Sequence, residues 1–196
     1  QFTNVGWIGE GDQAINQVFT VDTLGNGWTA GIVPEGNFSI GTTAFDGNGT
    51  AGQLFIARVA PTGLVDKVVS LGNPDINNTS LAPNLILKPD IDAGIWLTGS
   101  FSGNGLSIPG TVLDANNTTA FATRFDQDFN ASLTTVFPNS TISDLSPDPD
   151  GRVAIAGTFT GSTTMGTTTL TSSGGTDAFI AKIASTGKIA WAKSLG

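Results

Sequence analysis

Cysteine, histidine and tyrosine are all absent from the 196-residue chain. Without cysteine there are no disulfide staples and no thiol chemistry. Without histidine as well, the Ser-His and Cys-His catalytic pairs and His- or Cys-ligated zinc are excluded. Charge is scarce: charged residues make up 12% of the chain, and sixteen acids against eight bases leave a formal net charge of −8. That balance argues against nucleic acid as a partner, whose phosphates need clustered Lys and Arg, and against anionic membrane surfaces. No apolar stretch approaches the ~20 residues of a spanning helix, so membrane insertion is not expected. No segment shows the apolar period of a helix.

What the chain does have is a phrase repeated three times. Trp28-Thr29-Ala30-Gly31, Trp96-Leu97-Thr98-Gly99 and Ala154-Ile155-Ala156-Gly157 correspond. So do Phe55-Ile56-Ala57-Arg58-Val59, Phe121-Ala122-Thr123-Arg124-Phe125 and Phe179-Ile180-Ala181-Lys182-Ile183. In every copy an Asp (Asp22, Asp90, Asp148) stands nine positions before the glycine, within a turn-like cluster. The alternation of apolar and polar residues is that of β-strands, and the 26 glycines suit an all-β chain dense in turns. Strand, polar Gly/Thr loop, strand, tight turn and strand make an antiparallel meander. The glycines permit close backbone approach where sheets crowd together.

The units divide the chain into an extra N-terminal strand (1–11), then repeats over 12–72, 73–137 and 138–196, read as one β-repeat domain. Strands are expected near 14–21, 27–33, 53–60 and 64–71 in the first unit. They are expected near 84–88, 94–101, 119–126 and 131–137 in the second, and near 141–146, 152–159, 177–184 and 188–195 in the third. The stretches between second and third strands read as loops. Residues 3–9, around Val5 and Trp7, match the last strand of a unit, around Ile189 and Trp191.

Leu170 to Gly196 resembles the bacterial and archaeal β-propeller repeat of the SBBP type, a Gly-x-x-Asp-x-Phe-[Val/Ile]-Ala-Lys-[Leu/Ile] strand followed by a Gly turn and a Trp strand. Gly174, Asp177, Phe179, Ala181, Lys182, Gly187 and Trp191 fall on that pattern. The first unit keeps Phe55, Ala57, Arg58 and Gly63 but has Lys67 at the Trp position. The second keeps Phe121 and Arg124, with Asp128 and Phe129 where the Gly turn belongs. The resemblance implies three four-stranded antiparallel propeller-type blades and a surface or secreted setting, and it carries no catalytic residues. Three blades fall short of the four to eight that close a ring.

Eight Asn-x-Ser/Thr sequons occur, at Asn37, Asn48, Asn77, Asn78, Asn116, Asn117, Asn130 and Asn139. Chance predicts roughly three, and all eight fall in expected loops or turns, so glycosylation is expected. Asn, Ser and Thr also cluster simply as turn formers. Asp126-Gln127-Asp128-Phe129-Asn130 opens like a calcium loop but lacks its later glycine, and Phe137 takes the place of the twelfth-position Glu. It reads as a turn, and no cofactor is expected. Phe38, Phe45 and Phe129, on expected loops, could stack on sugars; burial under the loops is the simpler outcome.

A secreted or cell-surface, non-enzymatic structural protein that assembles head to tail with copies of itself is therefore expected, with Val5 and Trp7 in the assembling strand. An extracellular filament is one form of it. An adhesin module for surface glycans or proteins stands second. A carboxylate glycosidase stands third, since no carboxylate pair is singled out.

Overall fold

The computed structural model describes residues 9–10, 15–33, 38–45, 53–72 and 84–196, and among them the fold is all-β. The chain runs through β1 (Gly9–Glu10), β2 (Ile15–Val21), β3 (Gly27–Val33), β4 (Phe38–Ile40), β5 (Thr43–Phe45), β6 (Gln53–Val59) and β7 (Val65–Ser70). The strands β2-β3-β6-β7 form sheet 1, and β1-β4-β5 form a small cap sheet. Sheet 2 holds β8 (Ile86–Pro89), β9 (Ile95–Ile108), β10 (Thr111–Phe125) and β11 (Ala131–Pro138). Sheet 3 holds β12 (Ser140–Pro147), β13 (Val153–Met165), β14 (Thr168–Ile183) and β15 (Ile189–Ser194). All pairings are antiparallel, and none of these sheets closes on itself.

Two expected loops are in fact strand. β9 and β10 run on to a turn at Pro109-Gly110, and β13 and β14 to one at Gly166-Thr167. Each arm buries one face, Leu106, Ile108 and Ala115 joining one core cluster and Met165 and Leu170 another, but glycines and runs of threonine break up the apolar alternation. Threonine suits an extended backbone, and on the exposed face Thr164 and Thr169 join hydroxyls across the arm at 3.1 Å. A third expected loop, between β3 and β6, contains the β4–β5 hairpin. Its partner β1 holds Gly9 opposite Ile40 and Glu10 opposite Ser39. The rest of the proposed N-terminal strand, Val5 and Trp7 included, lies outside the described residues.

Six of the hairpin turns share one design. In each, the first residue donates its N–H to the carbonyl four residues on, as in Asp22 to Asn26, Ala60 to Leu64, Asp90 to Gly94, Asp126 to Asn130, Asp148 to Arg152 and Ala184 to Lys188. The fourth residue is left-handed, the position glycine favours. Gly63 and Gly187 fill it without strain, whereas Phe129 fills it at φ 65°. A non-glycine residue there is held by its surroundings. Phe129 is 2% exposed, and its ring centre lies 4.7 Å from that of Trp28, the two planes tilted by 31°.

Every sheet has two faces. The front carries the second-strand residue Trp28, Trp96 or Ala154, paired with Arg58, Arg124 or Lys182. The back carries Phe55, Phe121 or Phe179, each opposite its anchor glycine Gly31, Gly99 or Gly157. The front of sheet 1 (Trp28, Ala30, Ile56) packs on the back of sheet 2 (Ile95, Leu97, Phe121, Phe125) in one core cluster. The front of sheet 2 (Trp96, Ala120, Ala122, Phe137) packs on the back of sheet 3 (Ile155, Phe159, Phe179, Ile183) in another. The cap sheet lays Ile40 over Phe55 and Ala57 on the back of sheet 1. The order is cap, sheet 1, sheet 2, sheet 3. Both contacts between the large sheets run front to back.

Candidate functional site

The turn ends of the sheets gather the acidic and basic side chains. Asp22 accepts the backbone N–H groups of Leu24 and Asn26 on one oxygen, and on the other the Trp28 indole N–H at 2.8 Å and the Gln127 amide at 3.1 Å. Asp90, its counterpart in sheet 2, accepts Arg124 Nε at 2.5 Å, while the same guanidinium reaches Asp92 and the Ser132 hydroxyl. With Asp90 engaged by arginine, the buried Trp96 indole N–H has no partner among the described residues. In sheet 3 the Lys182 ammonium donates to Asp148 at 2.6 Å. The three repeated aspartates are thus turn formers whose second oxygen ties the turn to its own or a neighbouring sheet.

The same bonds set their acidity. Burial pushes the Asp22 carboxyl up, but the hydrogen bonds from Trp28, Asn26 and Gln127 outweigh it and hold it below the ordinary value. Burial likewise loses to Arg124 at Asp92 and to Asn130 at Asp126, and the Lys182 hydrogen bond lowers Asp148. A carboxyl depressed in the fold contributes stability that is present above its unfolded pKa and lost as pH falls through its folded pKa. The melting temperature is therefore expected to hold from pH 7 to about pH 5 and to fall steadily below about pH 4. A curve flat to pH 2, followed by circular dichroism, contradicts these turns' contribution.

Among the described residues, no three Asp or Glu side chains cluster to hold a metal ion. In the 126–130 segment, Asp126 spends its oxygens on the N–H groups of Asp128 and Asn130 and on the Asn130 amide, all at 2.8–2.9 Å. That is an Asx-type turn.

Four of the eight sequons are described, and two of them correct the expectation of loops. Asn116 and Asn117 lie within β10, exposed, between the register breaks at Ala115 and Thr119. Asn130 is exposed in its turn. Asn139 sits at φ 53° between β11 and β12 and donates its amide to the Ser162 carbonyl at 3.0 Å. Asn37, Asn48, Asn77 and Asn78 lie outside the described residues. Asn117 and Asn139 border a groove of about 580 Å³ whose floor includes Thr141, Thr158, Thr160 and Thr176. Of the candidate aromatics, Phe129 is buried, and Phe38 and Phe45 occupy opposite backbone positions in the β4–β5 hairpin.

The front of sheet 3 was not singled out in the sequence. It presents Ala154, Ala156, Ala178, Ile180 and Trp191, flanked by Lys182 and Lys193. On sheets 1 and 2 this face is core, yet here none of these residues joins a core cluster, and Trp191 is 42% exposed. At the other end the cap leaves part of the back of sheet 1 open. Phe19, beside Thr29, is 58% exposed, and Val21 is exposed next to it. No protein-family model matches the chain, and no curated protein matches it.

Proposed function

We propose that the chain is a secreted or cell-surface structural protein, non-enzymatic and glycosylated, that assembles head to tail with its own copies into an extracellular filament. One observation carries this reading: an open stack of three sheets has exposed apolar side chains at both ends, Trp191 at one and Phe19 at the other. Repeat arrays need polar caps to stay apart, and unlike ends that match build chains or rings. The three sheets are taken as propeller-type blades, in keeping with the resemblance of Leu170 to Gly196. The sequons supply the sugar coat that a chain with so few charges needs at a surface.

In this reading the N-terminal strand around Val5 and Trp7 adds to a sheet edge of the neighbouring subunit. It leaves from β1, whose Gly9 and Glu10 pair with β4 of their own chain. Deleting residues 1–8 keeps that pairing. The deleted chain is expected to fold, to remain monomeric in sedimentation velocity where the full chain grows with concentration, and to form no fibres by electron microscopy. Assembly equal to that of the full chain refutes strand addition, and a full chain monomeric at every concentration refutes assembly itself. A native mass equal to the bare 20.0 kDa chain removes the glycan coat.

A glycan-binding adhesin is the second reading, favoured by the hydroxyl- and amide-lined groove beside Asn117 and Asn139. A glycan array probed with the deleted chain separates it from the first.

A further inference from the structure

The repeat identifies what belongs on each bare end. Phe19 stands three residues before Asp22, as Leu87 does before Asp90 and Leu145 before Asp148. Leu87 is buried in the cluster shared with sheet 1, and Leu145 in the cluster shared with sheet 2. Two members of this set pack on the preceding sheet; Phe19 is the third and has none before it.

The opposite end gives the matching set. Lys67, Leu133 and Trp191 pair with Arg58, Arg124 and Lys182, respectively. Lys67 donates to the Asp128 carbonyl in the β10–β11 turn of the next sheet, and its ammonium lies 5.2 Å from the Phe129 ring centre. Leu133 packs on the corresponding β14–β15 turn, where a methyl at Gly187 would come within 2.9 Å of it. Two residues along β11, the Thr135 hydroxyl donates to the Gly187 carbonyl at 2.9 Å. Two members of this set hold the following sheet's turn; Trp191 is the third. In the turn equivalent to those two, from Ala60 to Leu64 between β6 and β7, Pro61 is exposed and Leu64 is 71% exposed.

We infer that the front of sheet 3 docks the sheet 1 end of a second copy, so that Trp191 meets its Ala60–Leu64 turn and its Phe19 covers the Ala154–Ala156 region. This rests on the self-assembly reading and names its surfaces. The contact repeats between molecules the front-to-back contact made twice within the chain, and it is heterologous. The small side chains Ala154, Ala156 and Ala178 leave space for a large one from the partner, as Phe19 is.

Phe19→Glu and Trp191→Glu each spoil one end and leave the other intact. Both sites are exposed, and unaltered circular dichroism and melting confirm that the variants fold. Each variant alone is expected to lose growth beyond monomer at concentrations where the parent chain is mostly assembled. Mixed in equal amounts, they are expected to form one-to-one dimers and nothing larger, because one good front meets one good back. Since the chain has no cysteine, a second measurement uses Thr62→Cys with Lys193→Cys. The double variant is expected to give a disulfide-linked ladder on oxidation, and each single variant only monomer. Variants that assemble like the parent, a mixture that stays monomeric while the parent assembles, or no ladder in an assembling double variant overturns the docking surfaces and leaves self-assembly standing. A parent chain that is monomeric throughout overturns both.

Discussion

Replacing Gly157 by alanine is expected to destabilise the chain by on the order of 3 kcal/mol, lowering its urea midpoint and melting temperature sharply. A methyl group there would overlap the Thr141 backbone carbonyl and approach the Phe179 ring to 2.8 Å. The carbonyl is the decisive neighbour. It belongs to β12, where the register shifts between Ile142 and Asp144, so relief requires that strand to move. The ring cannot retreat easily either, since Phe179 is buried against Phe137 and Phe159. Alanine also stiffens the unfolded chain, a gain of about 0.4–1 kcal/mol that does not offset the overlap. The equivalent Gly99 supplies the control. Its methyl would meet the end of Leu85 at 2.9 Å and the Phe121 ring at 3.0 Å, both side chains rather than backbone. Gly99→Ala is expected to cost about 1 kcal/mol, at the low end for overpacking. Equal losses at the two glycines contradict the close approach of β12.

Truncating Trp28 to alanine is expected to cost about 3–5 kcal/mol, the range for emptying a buried aromatic site. Trp28 is fully buried and joins three elements. Its indole N–H donates to Asp22 at 2.8 Å, its ring packs at a tilt on Phe129, and Arg58 lies 5.6 Å from its centre. Its removal takes away the ring that supports Phe129 in the left-handed turn, so loss of the contact between sheets 1 and 2 is expected as well. Trp96 occupies the same place in sheet 2, with an indole N–H that has no partner among the described residues. The two tryptophans therefore differ when only the nitrogen is removed. Trp28→Phe loses a hydrogen bond to a carboxylate, worth about 1.5–3 kcal/mol, whereas Trp96→Phe relieves an unsatisfied donor. Denaturant unfolding of the pair is expected to rank Trp28→Phe as clearly the more damaging. The reverse order contradicts the Asp22 assignment.

Strand chemistry was legible where one face is buried. The alternation around Phe55, Phe121 and Phe179 marks the third strand of each sheet, because period-two burial leaves period-two composition. The anchor glycines were legible because they recur at one place in the repeat, and at Gly99 and Gly157 an added methyl would meet the ring of the phenylalanine opposite. The arms at 102–118 and 160–176 were not, because their few buried apolar residues, Leu106, Ile108, Met165 and Leu170, stand among glycines and runs of threonine that look like loop. Nor was the left-handed turn at Phe129, where tertiary packing on Trp28 replaces the glycine that local geometry prefers.

By itself the sequence determined an all-β chain of three units and excluded thiol and histidine chemistry, because both follow from local pattern and inventory. Only the tertiary structure decided which faces meet. Alternation tells that a strand has an apolar side, not whether anything covers it. Leu87 and Leu145 are buried where Phe19 is bare, and Lys67 and Leu133 are engaged where Trp191 is open. Position in the stack, not residue type, makes that difference. An interior sheet finds a neighbour on both sides, and a terminal one does not.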